Sequence, residues 1–157
     1  MEMLMNKTAT RLQALNLEIP QPVAPVANYV PFVVSGNELF ISGQVSMTPS
    51  GLIKGKLGGD LSVDQGAEAA RACAINLIAQ MKAALGGDLD RVKRIVRLTG
   101  FVNCTADFTD QPKVINGASD LMVAVFGEAG RHTRAAVGAP SLPLGAAVEI
   151  DAIVEID

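Results

Sequence analysis

Residues 62–87, SVDQGAEAARACAINLIAQMKAALGG, decide the fold because they hold the clearest helix pattern of the chain. Ser62 and Gln65 have the spacing of a capping box, in which each side chain bonds the other residue's backbone at a helix start. Gly86 and Gly87 supply the stop signal at the other end. Between these ends, apolar residues recur at helical spacing: Ala70, Cys73, Ala74, Leu77, Ile78, Met81 and Leu85. The stretch therefore predicts a long helix with an apolar stripe.

Strand patterns lie on both sides of this helix, and a second helix follows it. Short runs of β-branched and apolar residues, bounded by turn residues, predict strands. A second apolar stripe between Ile115 and Phe126 predicts another helix, with Asp110 as its candidate cap and Gly127 as its end. The predicted strands span residues 29–34, 38–46, 92–103, 132–138 and 146–156, with a loop and a short hairpin at 48–60.

The order strand–strand–helix–strand–helix–strand–strand predicts an α+β fold with a single mixed β-sheet. Two helices stacked on one face of that sheet would bury both apolar stripes. Ahead of this unit, residues 6–16 predict a short amphipathic helix, and three prolines predict an extended strap over 18–28. We therefore divide the chain into an N-terminal segment, 1–27, and a domain, 28–157.

The composition is that of one folded domain with a core of small aliphatic residues. The chain has 157 residues, of which 49% are hydrophobic and 4% aromatic, so it can form a core and favours further burial by self-association. The net charge of −3 and the lack of a basic, aromatic-rich run disfavour nucleic-acid binding. No apolar stretch is long enough to span a membrane and no signal-peptide pattern is present, so we expect a cytoplasmic protein.

Several classes of chemistry lack their motifs in this sequence. Cys73 and Cys104 match no zinc or redox spacing, and His132 is the single histidine, so no histidine-rich metal site is expected. The phosphate-binding loop, the dinucleotide-binding glycine motif and the nucleophile elbow of hydrolases are also absent. The sequence predicts neither a metal nor an organic cofactor.

Arg134 and Glu149 form the one pair of side chains that suggests a site. They fall on successive predicted strands and, if those strands are neighbours, both side chains enter one cleft. Arginine binds a carboxylate through two parallel hydrogen bonds, and a nearby glutamate can hold or activate a water. A simple cross-strand salt bridge explains the same pair, and the residues taken alone favour that explanation.

Four segments carry a further signal through their order and spacing. The first is a tyrosine followed by a strand that ends in Ser-Gly-Gln, and the last is an arginine strand followed by Leu-Pro and Val-Glu-Ile-Asp-Ala. The segments are Asn28-Tyr29-Val30 with 40–44, residues 102–108, residues 114–116, and residues 133–137 with 142–143 and 148–152. Together they resemble the Rid family of imine deaminases, also called the YjgF or endoribonuclease L-PSP family, over residues 28–156.

The resemblance implies a chorismate-mutase-like fold in a homotrimer, with each site between two subunits. It implies a small carboxylate substrate, and hydrolysis of 2-imino acids and their enamine tautomers to 2-keto acids and ammonia without a cofactor or metal. Two alternatives stay open. One is a trimer that binds a small carboxylate metabolite as a sensor without turnover. The other is a ribonuclease, which the acidic charge and the lack of a histidine pair disfavour.

Residue by residue, the resemblance assigns Arg134 to the substrate carboxylate and Glu149 to the attacking water. The backbone N–H of Ala136 is implied as a second donor to that carboxylate. Ala135 and Ala136 stand where the family often has a serine and a cysteine. Side-chain roles at these two positions are therefore lost, whereas the backbone role survives.

Three further positions are implied to form the pocket. Tyr29 matches the tyrosine that closes it, and Asn116 matches the asparagine that lines it. Gly43 matches a glycine whose backbone carbonyl faces the substrate. His132 comes two positions before Arg134 and shares its strand face, so we expect it at the rim of the site.

Overall fold

The computed structural model describes residues 6–25 and 27–157. The helices are α1 (Lys7–Ala14), α2 (Val63–Ala84) and α3 (Gln111–Phe126). The strands are β1 (Phe32–Ser35), β2 (Glu38–Val45), β3 (Met47–Thr48), β4 (Gly51–Leu52), β5 (Val92–Asn103), β6 (Thr133–Ala139) and β7 (Val148–Ile156). Short 3-10 turns lie at Leu89–Arg91, Gly127–Gly130 and Pro143–Gly145.

The main sheet has five strands in the order β1–β2–β7–β5–β6, and β3 pairs with β4 as a separate hairpin. β5 and β6 run parallel and every other pair is antiparallel, so the predicted mixed sheet of an α+β fold is confirmed. The expectation that the strands of Arg134 and Glu149 are neighbours is wrong, because β5 lies between β6 and β7. The helix α3 joins β5 to β6, and a helical crossover of this kind favours parallel pairing of the strands it connects.

The long helix α2 has the start that the sequence predicts. Both capping-box bonds are present: the Gln65 N–H donates to Ser62 Oγ at 3.2 Å, and the Ser62 N–H donates to Gln65 Oε1 at 2.8 Å. Its buried face, which includes Leu77, Ile78 and Met81, packs into one core with α3 and the sheet. No helix in the described part of the chain is both long and apolar enough to cross a membrane.

The start of α3 differs from the prediction at its cap. Asp110 flanks the helix, but its side chain makes no capping hydrogen bond and lies 3.7 Å from the ammonium group of Lys113 instead. The Asp110 backbone has φ −93° and ψ 27°, whereas a capping side chain is aimed by an extended backbone. Pro112 in the first turn removes one of the N–H groups that would need a cap.

Hydrogen bonds at Asp90 and Gln80 attach the N-terminal segment to the rest of the chain. Asp90 accepts hydrogen bonds from the N–H groups of Lys7 and Thr8, both at 3.0 Å, and from the Thr8 hydroxyl at 2.6 Å. Desolvation raises the pKa of Asp90, but these bonds and the Lys7 charge outweigh it and hold the pKa below its ordinary value. Further along, Gln80 on α2 donates to the carbonyl of Val23 in the strap at 3.0 Å.

The sheet face opposite the two long helices carries exposed apolar side chains. Phe40 alternates with the buried Leu39 and Ile41 along β2, so it lies on this opposite face. Val33 is the cross-strand partner of Phe40, and the two side chains are 51% and 40% exposed, respectively. An exposed apolar surface across several strands is typical of a protein–protein interface. We expect the homotrimer implied by the family resemblance to cover it.

We expect light scattering at micromolar concentration to give a mass of about 49 kDa, three times the chain mass of 16.3 kDa. Phe40→Glu should shift the protein to lower mass, because it would bury an unpaired charge in the interface. The matched control is Val34→Glu, since Val34 is 50% exposed but pairs with Leu39 and faces the helix side. A monomeric wild-type protein, or the same loss of mass in both variants, would contradict the trimer.

Candidate active site

Arg134 extends from β6 toward the start of α3, where three contacts hold its guanidinium group. Its Nη1 donates to Asn116 Oδ1 at 2.9 Å and to Ser119 Oγ at 3.1 Å, and its Nη2 donates to the carbonyl of Pro112 at 3.2 Å. Asn116 and Ser119 are three residues apart on α3, so they share one helix face. The arginine is half-buried, and these contacts with α3 orient it.

The same contacts leave one edge of the guanidinium group open. An arginine side chain has five N–H donors, and partners in the described residues engage both donors of Nη1 and one of Nη2. The two that remain belong to Nε and Nη2, which lie side by side along one edge of the group. A carboxylate binds a pair of adjacent donors of this kind through its two oxygens.

The backbone N–H of Ala136 faces the open edge of the sheet. β6 is the edge strand, and the Ala139 carbonyl accepts a bond from the Cys104 N–H, on the β5 side. Backbone groups of successive residues point to alternate sides of a strand, so Ala136, three residues before Ala139, points outward. Its N–H is thus available two residues along the same edge from Arg134.

Glu149 lies on the opposite sheet face, in a cavity of about 270 Å³. Along β7 it alternates with the buried Val148 and Ile150, and this alternation directs it away from the helices. Burial raises the pKa of the Glu149 carboxyl above its ordinary value, and the negative charge of Asp151 adds to the shift. The cavity walls include Val23, Ala24 and Pro25 of the strap, together with Tyr29, Gly43 and Leu144.

Gly43 brings the β2 backbone against Glu149. The register between β2 and β7 shifts between Ile41 and Gln44, so β2 bulges at this point. A Cβ atom at position 43 would lie 3.0 Å from Glu149 Cδ, which is tighter than side chains normally pack. Glycine therefore lets the glutamate sit against the strand. Tyr29, 49% exposed, lies on the same cavity wall.

The predicted site residues thus form two separate groups within one chain. The group at the β6 edge comprises Asn116, Arg134 and Ala136. The group around the cavity comprises Tyr29, Gly43 and Glu149. Arg134 pairs with Leu98, which pairs with Ala152, and Glu149 lies three residues from Ala152 along β7. Two strand spacings across the sheet and three residues along it place the Cα atoms of Arg134 and Glu149 roughly 14 Å apart. Neither the single-chain cleft nor the cross-strand salt bridge expected from the sequence forms among the described residues.

Ser119 and the strap belong to the candidate site, although no sequence motif predicts them there. Ser119 lies one helical turn beyond Asn116, so the helix period could have placed it beside Arg134. The strap residues Val23 to Pro25 carry no chemical signal, and only the fold brings them to the cavity. His132, expected at the rim, bonds to Ser119 through Nε2 at 2.8 Å.

The two cysteines are buried and unbridged. Burial, with the charge of Glu149 adding to it, raises the pKa of Cys73 well above its ordinary value, so its thiol stays protonated at neutral pH. Cys104 is only 7% exposed. Among residues 6–25 and 27–157, no cluster of three metal-binding side chains occurs.

A family model described as "YjgF/chorismate_mutase-like, putative endoribonuclease" matches residues 9–156. The chain belongs to the YjgF family. This membership confirms the resemblance seen in the sequence, and the match begins inside α1 rather than at residue 28.

Known proteins are similar to this chain over most of its length. Protein TCP17 of Trypanosoma cruzi is 52% identical over 96% of this chain and 95% of its own length. Atu1372 from Agrobacterium tumefaciens, a protein of unknown function, is 49% identical in sequence to this chain. Its crystal structure matches with a TM-score of 0.88 over 96% of this chain and 94% of its own. RidA from an Antarctic Psychrobacter is 27% identical, with a TM-score of 0.59 over 87% of this chain and 94% of that one.

We expect a thiol-alkylating reagent to leave both cysteines of the native protein unmodified at neutral pH, because burial keeps Cys104 inaccessible and Cys73 protonated. Both should react once the protein is unfolded in denaturant, and intact mass spectrometry would count the adducts. Ser50→Cys, on an exposed turn, is the positive control and should add one adduct to the native protein. Rapid native modification of Cys73 would contradict the burial seen here.

Proposed function

We propose that this YjgF family member hydrolyses 2-imino acids and their enamine tautomers to 2-keto acids and ammonia. The observation that carries the proposal is the orientation of the Arg134 guanidinium group. Arg134 is oriented by α3 and keeps donors on Nε and Nη2 open, and the outward N–H of Ala136 lies two residues further along the same strand. A substrate carboxylate is the ligand that such an arrangement matches, since it can accept both arginine bonds in one plane.

Glu149 is the proposed base of the reaction. It accepts a proton from a water as the water oxygen bonds to the imine carbon, while the C=N π electrons move to the nitrogen, which takes up a proton from solvent. The protonated Glu149 then gives its proton to the amino group of the carbinolamine. As the C–N bond breaks and ammonia leaves, the hydroxyl group loses its proton to solvent and the C=O bond forms, which leaves the 2-keto acid. Burial raises the pKa of Glu149, and a carboxylate with a raised pKa is a better proton acceptor than an ordinary one.

The proposed site combines two copies of the chain. Arg134 and Ala136 lie at the open edge of β6, whereas Glu149 lies in a cavity on the other face of the sheet, beyond β5. One copy alone cannot bind a carboxylate at Arg134 and present Glu149 to the adjacent imine carbon. A homotrimer in which the β6 edge of one subunit meets the cavity of the next would join the two groups.

The cavity beside Glu149 supports a small substrate. Its volume of about 270 Å³ lies just below the usual range for small-molecule pockets. Val23, Pro25 and Leu144 give it apolar walls, which suit the side chain of an amino-acid-derived substrate. The cavity size and the net charge of −3 both disfavour the endoribonuclease activity that the family description names.

A carboxylate-binding trimer without turnover is the second candidate. It is favoured by Ala135 and Ala136, which replace side chains that the family often has after the arginine. Against it stands Glu149, because binding a carboxylate needs no acid with a raised pKa in the adjoining cavity. Turnover of a 2-imino acid separates the two candidates directly.

Arg134→Ala should abolish imine hydrolysis, because removing one partner of a buried charge pair costs about 2–5 kcal/mol of binding. Arg134→Lys should fail in large part, since an ammonium group cannot present two coplanar donors. Glu149→Gln should bind the product 2-keto acid nearly as well as wild type but turn over the substrate slowly. The measurement is release of 2-keto acid from a 2-imino acid generated in place by an amino-acid oxidase.

Arg131→Ala is the matched control for these variants, because Arg131 is an exposed arginine that contacts Glu128 rather than the site. It should retain wild-type activity. All variants should keep the wild-type mass and melting temperature within a few degrees. Full activity of Arg134→Ala would refute both the site and the proposed chemistry.

Mixing two inactive variants tests whether the site is shared. Arg134→Ala and Glu149→Gln subunits, unfolded together and refolded at equal amounts, should recover about a quarter of the wild-type activity, because that fraction of interfaces receives one intact residue from each partner. The control is each variant refolded alone, which should stay inactive. Activity that does not reappear in mixed trimers would show that both residues act within one chain.

A further inference from the structure

His132 is part of a chain of hydrogen bonds that ends at Arg134. Its Nδ1 lies 2.7 Å from the carbonyl oxygen of Gly130, and its Nε2 lies 2.8 Å from Ser119 Oγ. Ser119 Oγ in turn accepts a bond from Arg134 Nη1 at 3.1 Å. The imidazole therefore stands behind the arginine, linked to it by one serine hydroxyl.

The chemistry of the partners fixes the direction of each bond. A carbonyl oxygen can only accept, so His132 Nδ1 carries the proton and Nε2 of the neutral ring is the acceptor. Ser119 has a single hydroxyl proton, and it donates that proton to Nε2. The lone pairs of Ser119 Oγ are then directed to Arg134, which makes the serine an acceptor for the guanidinium group.

We propose that His132 is a positioning residue that holds Arg134, through Ser119, in the orientation in which it binds the substrate carboxylate. Asn116 also accepts from Nη1, and the Pro112 carbonyl accepts from Nη2, so Ser119 is one of three contacts that oppose rotation of the guanidinium plane. The Nε–Nη2 edge then stays directed outward. What this edge binds rests on the proposed function, whereas the hydrogen-bond chain does not.

The surroundings of His132 keep the ring in its neutral form. Burial lowers the pKa of His132, and the positive charge of Arg134 acts in the same direction, although the bond to Gly130 opposes both. In the adjoining surface turn, Glu128 and Arg131 pair with each other at 3.2 Å. A protonated ring would place an N–H against Ser119 and a second positive charge near Arg134.

Side-chain ¹⁵N NMR on the intact protein tests the hydrogen-bond chain without a substrate. The wild type should show a proton on His132 Nδ1 and hindered rotation of the Arg134 guanidinium group. His132→Phe and Ser119→Ala should both give averaged Arg134 signals. His132→Gln should keep the hindered signals, because its amide oxygen can still accept from Ser119. Arg134 signals that stay hindered in His132→Phe would overturn the proposal.

Steady-state kinetics with a 2-imino acid test the positioning role. His132→Phe and Ser119→Ala should each raise KM about tenfold and leave kcat little changed, because the carboxylate is bound alike in the ground state and the transition state. The double variant should be no worse than Ser119→Ala, since His132 acts through the serine. Additive losses, or a loss confined to kcat, would overturn the inference. A wild type without turnover would instead refute the proposed function, and the NMR comparison would still decide the role of His132.

Discussion

Two glycines allow α3 to lie against α2 and the sheet, and the candidate site depends on this close packing. A Cβ atom at Gly117 would overlap the Ala67 carbonyl group on α2, and one at Gly100 would lie 2.5 Å from Ile115 Cδ1 on α3. A side chain at position 117 would collide with the α2 backbone, and one at position 100 would force the Ile115 side chain to shift. Because α3 lies so close to the sheet, the polar side chains of its first turns reach Arg134 at the β6 edge. The packing that forms the core therefore also orients the arginine.

Patterns among neighbouring residues predicted the helices and strands of this fold. The errors concern features that depend on contacts between distant residues. The capping box of Ser62 and Gln65 acts between neighbouring residues, so its presence could be inferred from spacing alone. The capping bond predicted at Asp110 is absent because the backbone there is not extended, and residue spacing does not encode that backbone angle. The expected pairing of the last two strands was wrong for a similar reason. Chain order suggests that β6 and β7 are neighbours, but the crossover through α3 pairs β6 with β5.

The candidate site was predicted as a set of residues and not as an arrangement. Arg134 and Asn116 do meet, since one helix and one strand suffice to bring them together. Glu149 and Gly43 also meet, because β2 and β7 are adjacent. The distance between these two groups depends on strand order, which sequence periodicity does not encode. The strap enters the cavity through backbone position rather than side-chain chemistry, so its residues gave no signal.

The separation of Arg134 from Glu149 preserves the property that each would bring to catalysis. Arg134 is held by neutral acceptors, so no acidic partner among these contacts offsets its charge, and one edge stays open for an incoming anion. Glu149 lies in a cavity where burial raises the pKa of its carboxyl, so it remains a useful proton acceptor. A direct salt bridge between the two would lower the pKa of the carboxyl and occupy the arginine donors. β5 lies between their strands, and the pairing register places the two side chains on opposite faces of the sheet, so they cannot pair within one chain. In the proposed trimer, a substrate between two subunits would use both.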